Sequence, residues 1–240
     1  MLDKQSRIPM YVQIEEELKS RIERGEFPVG AAIPSERELT ELFKVSRMTV
    51  RQSITNLVND GLLYREKGRG TFVASPKVEQ PLIGMTSFTE DMQSRGMVPG
   101  NRLIRFEKMT PSPDIAKELQ LQSGEKVFYV ERIRYADDKP MALEKTYLPI
   151  KLFPQLSKEA LKGSLYLLIE QEQQLMISHA KQRMEAALVK QEDAELLQIH
   201  VPSAILLIER ASYLTNGQPF EVVRSIYRAD RYKFITEIKR

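Results

Sequence analysis

The chain has no cysteine and only two histidines in 240 residues. The first absence excludes disulfides, thiolate metal sites and cysteine nucleophiles. The second leaves His179 and His200 as the available imidazole bases, and neither sits in a nucleophile or metal motif. Each reads as an ordinary strand or loop residue. Long apolar runs are missing too: Leu165–Ile169 and Ala204–Ile208 have the length of a strand or short helix, not of a membrane span. The N-terminus lacks the apolar core of a secretory signal. No cofactor, metal or membrane partner is expected, and a reducing cytoplasm fits this composition.

What is present is ordinary for a globular protein: 42% hydrophobic and 29% charged residues, enough to bury a core, in a length that favours two domains. A formal net charge of +3 is too small to name a partner, but its distribution is uneven. Acidic side chains outnumber basic ones over residues 1–43. Residues 44–75 then carry Lys44, Arg47, Arg51, Arg65, Lys67 and Arg69 against only Asp60 and Glu66.

That basic segment lies within a patterned stretch. Pro9 suits a first helical position, Tyr11, Ile14, Leu18 and Ile22 recur at helical spacing, and Gly25 closes the helix. Ser35-Glu36-Arg37-Glu38 is a capping box, followed by Leu39, Leu42 and Phe43 as a buried side. Val45 makes a turn, and Ser46 caps a third helix bearing Met48, Val50, Ile54, Leu57 and Val58. The first turn of that helix exposes Arg47, Thr49, Arg51 and Gln52. In helix-turn-helix docking such residues face base edges and flanking phosphates. Leu62–Arg65 and Thr71–Val73 then read as strands around Lys67-Gly68-Arg69-Gly70, whose glycines permit positive φ. A basic tip of this kind can approach the minor groove. A phosphate-binding P-loop is excluded, because no Gly-Lys-Ser/Thr follows. The sum predicts a winged helix-turn-helix.

Ala74-Ser75-Pro76-Lys77-Val78-Glu79-Gln80-Pro81 is polar and breaks all periodicity. The chain is therefore expected to divide into a DNA-binding domain over 1–75, a linker over 76–81 and a second domain over 82–240. In that second domain, helices are expected over 87–95, 114–121, 165–172 and 192–199. Strands are expected over 101–109, 127–135, 141–148, 178–188, 206–214, 220–227 and 232–238. Asn216-Gly217 is a strong hairpin signal. The fold class is α+β, with a mostly antiparallel sheet.

Strand parity suggests a pocket. Phe128, Val130, Arg132 and Arg134 share one face, as do Glu221, Val223, Ser225 and Tyr227, and Glu144 lies on the strand paired with the arginines. Two arginines side by side suit an anion such as phosphate. Parity alone leaves two readings open, a ligand site and a surface ion-pair network.

The motifs Ile8-Pro9…Tyr11…Gln13-Ile14, Pro34-Ser35-Glu36-Arg37, Ser46-Arg47…Thr49-Val50-Arg51 and Gly68…Gly70-Thr71-Phe72-Val73 resemble the DNA-binding domain of the GntR family of bacterial transcription regulators. The opening Thr86-Ser87-Phe88-Thr89-Glu90-Asp91-Met92…Arg95-Gly96 is similar to the UTRA effector domain, of chorismate-lyase-like fold, in the HutC subfamily. So are Arg132…Arg134, Glu144…Pro149, Ser164…Tyr166 and Glu221…Tyr227-Arg228-Ala229-Asp230-Arg231-Tyr232. The resemblance covers nearly the whole chain and is densest over residues 1–105.

It implies a homodimeric repressor of a double-stranded DNA operator. Arg37, Arg47 and Arg51 are implied to carry most operator contacts, and Gly68 to form the wing tip. It also implies a phosphate site from Ser87, Phe88, Thr89, Arg132, Arg134, Ser164 and Tyr166, with Glu144, Glu221 and Tyr227 meeting a sugar. The implied effector is a small phosphorylated sugar, glucosamine-6-phosphate or N-acetylglucosamine-6-phosphate favoured, in control of N-acetylglucosamine utilisation; the alternative is the same architecture responding to another sugar phosphate or a non-sugar carboxylate. Two rival readings fit less well. A lyase-like enzyme would not explain the attached helix-turn-helix, and an architectural DNA-binding protein would need no acidic-and-arginine pocket.

Overall fold

The computed structural model describes residues 2–238 other than Lys4, Lys67, Ile83 and Gln173, with Glu172 described by its backbone alone. The chain forms two compact units, Met1–Val78 and Glu79–Arg240.

In the first unit, α1 (Met10–Glu23) follows Pro9, which takes the N-cap rather than the first helical position. Gly25 sits just beyond its end at φ +76°. Helix α2 (Glu36–Phe43) starts at the expected capping box: Ser35 Oγ accepts from the Glu38 N–H at 3.3 Å, and Glu38 Oε2 accepts from the Ser35 N–H at 2.8 Å. The left-handed residue of the turn is Lys44, at φ 53°, rather than Val45. Ser46 then caps α3 (Arg47–Asn59) by accepting from the Thr49 N–H at 3.2 Å. Strands β1 (Leu63–Glu66) and β2 (Gly70–Val73) pair antiparallel as the wing. Ile33 N–H donates to Thr71 O and Val73 N–H to Ala31 O, both at 2.9 Å, so the segment before α2 flanks the wing. Ile14, Leu18, Leu39, Val50, Ile54, Leu57, Leu63 and Val73 fill one core. Each contributes about 1.5–3 kcal/mol by burial.

The second unit opens with β3 (Val78–Pro81), so the stretch expected as a linker over 76–81 is strand for most of its length. Its partner is the last strand, which is why prolines at its margins do not keep it irregular. Then come α4 (Phe88–Ser94), β4 (Pro99–Met109), α5 (Pro113–Glu118), β5 (Val127–Ala136) and β6 (Lys139–Pro149). After a 3₁₀ turn at Ala160–Lys162, α6 (Leu165–Leu167) runs into a π-helical turn, Leu168–Glu172, where one regular helix was expected. Strand β7 (Ile177–Leu188), α7 (Gln191–Leu197), β8 (Ala204–Leu214), β9 (Pro219–Arg228) and β10 (Tyr232–Ile235) complete the unit.

Six strands form one sheet in the order β4-β5-β6-β9-β8-β7, every pairing antiparallel. The closing strand is shorter than expected and joins β3 in a separate two-stranded sheet instead of extending this one. One face of the main sheet is covered at one end by Phe153, Leu161, Leu165, Leu168 and Ile169, packed on Phe128, Val130, Leu148 and Phe220. The opposite face carries Ala194 and Leu197 of α7 against Ile133, Leu143, Ile205 and Ile226, and Ile115 of α5 against Val127, Ala211 and Val222. What remains uncovered on the first face is the pocket described next.

Candidate functional site

Two sets of chemistry-bearing residues stand out, one in each unit. In the first, α3 buries Val50, Ser53, Ile54 and Leu57, which forces Arg47, Arg51 and Gln52 outward at helical spacing. The Arg47 and Arg51 side chains are 75% and 62% exposed, so both can reach a groove. Glu36, at the start of α2, lies 3.4 Å from Arg47, 3.9 Å from Arg51 and 4.0 Å from Arg65. Arg37 extends from α2 into solvent beside Glu41 at 3.1 Å. In the wing, Gly68 adopts φ +77° with open space where a Cβ would stand. Arg69 pairs with Glu66 and lies over the Phe72 ring, itself stacked on Tyr64. Lys67 lies outside the described residues.

In the second unit, β5, β6, β9 and β8 supply a pocket floor, and α4 with Ser164–Tyr166 supplies its walls. The cavity volume is about 80 Å³, and its mouth opens to solvent. Register places Arg132 opposite Glu144, Glu144 opposite Ser225, and Ser225 opposite Ile208, so these side chains form one row across the sheet. Arg132 and Arg134 both donate to Glu144 Oε2, at 3.2 and 3.4 Å. All three residues are buried, and burial pushes the Arg132 pKa down, against the pull of Glu144. The Nε atoms of both arginines and Thr146 Oγ1 are buried without a hydrogen-bond partner. Unsatisfied donors of this kind are costly unless a ligand takes them up.

The walls reach the same arginines. Thr89 Oγ1 accepts from Arg134 at 3.1 Å, the Phe88 ring lies 4.7 Å from that guanidinium, and Ser87 meets Ser164 at 3.3 Å. Further along the floor, Glu221 Oε1 accepts from Tyr166 Oη and Ser212 Oγ, each at 2.7 Å. Burial raises the pKa of Glu221, and it raises those of Tyr166 and Tyr227, so both phenols stay protonated donors.

Family models match both units: "UTRA domain" over residues 94–233 and "Bacterial regulatory proteins, gntR family" over 10–73. The chain is 47% identical over 98% of its length to the HTH-type transcriptional repressor NagR of Bacillus subtilis, covering 96% of that protein. It is 34% identical to the mannosyl-D-glycerate transport/metabolism system repressor MngR of Escherichia coli, over 94% of each chain. Among solved structures it resembles PhnF from Mycobacterium smegmatis, with a TM-score of 0.68 at 32% identity, over 94% of this chain and 99% of that one.

The chain belongs to the GntR family. It is a transcriptional repressor of HutC type, with a GntR helix-turn-helix and a UTRA domain.

In this GntR repressor the ten residues implied for the effector site line the same pocket: Ser87, Phe88, Thr89, Arg132, Arg134, Glu144, Ser164, Tyr166, Glu221 and Tyr227. The ion pairs among them are interior, not surface. Sequence reasoning missed Arg210, Thr146 and Asp91, which also line it, and Gln80 of β3, which donates to the Asp91 carboxylate. The parity that selected Arg132 puts Arg210 on a face with Ile208 and Ser212, and Asn216-Gly217 pairs that strand with β9, but nothing in the sequence says that β9 lies next to β6 and so joins Arg210 to the arginine pair. No cluster of metal-ligating side chains occurs among the described residues, and no helix among them is long and apolar enough to cross a membrane.

Proposed function

We propose that this protein is a homodimeric repressor of a pseudo-palindromic operator, released by a small phosphorylated amino sugar in control of N-acetylglucosamine utilisation. Arg37, Arg47, Ser46, Thr49, Arg51 and Gln52, with the wing at Lys67, Gly68 and Arg69, meet DNA. Two copies present two recognition helices to two half-sites. In the effector domain Arg132 and Arg134 hold the phosphate, with Ser87, Thr89 and Ser164 donating beside them. Glu144, Glu221 and Tyr227 read the sugar hydroxyls, and Tyr166, assigned to the phosphate by the resemblance, is tied to Glu221 through its hydroxyl. The effector acts by binding the DNA-released arrangement more tightly, since only differential affinity shifts a population.

The observation that carries this reading is the buried arginine pair, with unpartnered Nε atoms, at one end of a pocket whose other end is lined by a carboxylate and two phenols. Paired substitutions test it, read by operator gel shift and by thermal shift with glucosamine-6-phosphate and N-acetylglucosamine-6-phosphate. Arg51→Ala is expected to abolish operator binding and keep effector binding. Arg132→Ala is expected to keep operator binding and lose release by effector. If Arg132→Ala is released as readily as the parent, the phosphate assignment falls.

A further inference from the structure

Along α3 the buried residues Val50, Ser53, Ile54 and Leu57 fix one face, and the line opposite them runs through Met48 and Gln52, one turn apart. Met48 is 71% exposed, and Gln52 is exposed as well. When a recognition helix lies in the major groove, this outermost line faces the base edges. Arg47 and Arg51 stand to one side of it, gathered around Glu36 of α2. On the other side a separate polar chain runs from Gln52 to α1.

Gln52 Nε2 donates to Asn56 Oδ1 at 2.8 Å, and Asn56 Nδ2 donates to Glu15 Oε1 of α1 at 2.6 Å. Asn56 and Glu15 are both half-buried. The direction of the chain is set from its far end. A carboxylate only accepts, so Asn56 must present its amide nitrogen to Glu15. The Asn56 oxygen then faces Gln52, which must answer with its own nitrogen. That leaves the Gln52 oxygen turned away, with one N–H beside it.

A glutamine free to flip can offer a base edge either two donors or a donor and an acceptor. Gln52 is held to the second choice. Adenine presents N6–H beside N7 in the major groove and takes both bonds. Guanine presents two acceptors, O6 and N7, and sets O6 against the Gln52 oxygen. Thymine O4 meets the same repulsion, and cytosine offers only its N4–H.

We propose that Glu15, Asn56 and Gln52 form a polarity relay that makes Gln52 an adenine-reading residue. Glu15 and Asn56 are positioning residues, acting on the base only through Gln52. This rests on the operator reading above and names one base contact within it.

The test is selection of duplexes from a randomised double-stranded library by the full chain, then anisotropy titration of duplexes that differ at one base pair. Gln52→Ala identifies that pair as the one whose preference disappears. The wild type is expected to hold A·T there about tenfold or more over G·C. Glu15→Gln can donate to the Asn56 oxygen, which lets the relay run backward, and the ratio is expected to fall to about threefold or less. The negative charge lost with it shifts all duplexes together and leaves the ratio alone. Combining Glu15→Gln with Asn56→Asp rebuilds the order, because the new carboxylate accepts from both glutamine side chains, and the ratio should return. Asn56→Leu cuts the chain and carries the test if Glu15→Gln does not fold. An unchanged ratio in Glu15→Gln, or a loss that the double variant does not restore, would overturn the relay. So would Gln52→Ala with every preference intact, or a preference for G·C at that pair, while the arginine contacts of the operator reading stand. A wild type that selects no sequence at all overturns both.

Discussion

Glu36 Oε2 lies 3.4 Å from Arg47 Nε, tying the first turn of α2 to the first turn of the recognition helix. The same carboxylate lies within 4.0 Å of Arg51 and Arg65, so one acidic group sits among three arginines, of which Arg47 and Arg51 are proposed to meet DNA. It partly cancels the charge that phosphates would otherwise meet. Glu36→Gln is therefore expected to raise affinity for non-specific duplex several-fold and to steepen the dependence of log K on log salt by about 1. The ratio of operator to non-specific affinity should fall at the same time. Fluorescence anisotropy at several salt concentrations decides it, and an unchanged slope would refute the screening role.

The cap of α2 makes a prediction about stability alone. Ser35 and Glu38 satisfy each other's backbone donors, and Leu39 directly after them is fully buried. Ser35→Ala is expected to cost about 1 kcal/mol. Leu39→Ala should cost about 2–5 kcal/mol, because a cavity is left among α1, α2 and α3. Denaturant unfolding measures both, and neither variant should alter effector binding to the second unit.

The parts of this molecule written in local signals were legible. Ser35 and Ser46 mark helix starts through their own hydroxyls, Asn216-Gly217 forms its turn with Gly217 at φ +81°, and Arg132 with Arg134 share a face because strands alternate. The parts that depend on which strands become neighbours were not. Strand β9 pairs with β8 through the Asn216-Gly217 hairpin, but its pairing with β6 has no local sequence marker, and it is this second pairing that brings Glu221 and Arg210 into the row system of the arginine pair. Likewise β3 reads as a linker because its partner β10 is more than a hundred residues away. The resemblance to a known family supplied the convergence of the pocket residues that periodicity could not.

Glu221 predicts a dependence on pH. Burial raises its pKa above the ordinary 4.5, with the hydrogen bonds from Tyr166 and Ser212 pulling partly the other way. An acid that holds its proton more tightly when folded contributes stability below the unfolded pKa, and that contribution is lost as pH rises through the folded value. The wild type should therefore lose melting temperature as pH climbs from about 4.5. Glu221→Gln keeps an acceptor for both hydroxyls and should lose less. Thermal melts from pH 4.5 to 8 on both proteins give the difference curve, and parallel curves would remove Glu221 as its source.

Glu144 separates two roles by the sign of one effect. Its Oε2 serves both Arg132 and Arg134 through a single oxygen, at 3.2 and 3.4 Å, while the Nε of each arginine stays unpartnered. A phosphate, with more oxygens and more charge, can replace that carboxylate on the pair. If Glu144 is an internal stand-in for the effector's anion, Glu144→Gln should lower the melting temperature of the unliganded protein, because two buried guanidinium groups lose their counter-charge. The same variant should then bind inorganic phosphate more tightly than the parent does, since no carboxylate competes for the arginines. A carboxylate that only reads sugar hydroxyls predicts the reverse: weaker binding of a sugar phosphate and no change with inorganic phosphate. Titrating both proteins with both ligands distinguishes them, and the exchange role is the expected result because the carboxylate sits on both arginines in the unliganded protein and is free to meet the sugar only once a phosphate has displaced it.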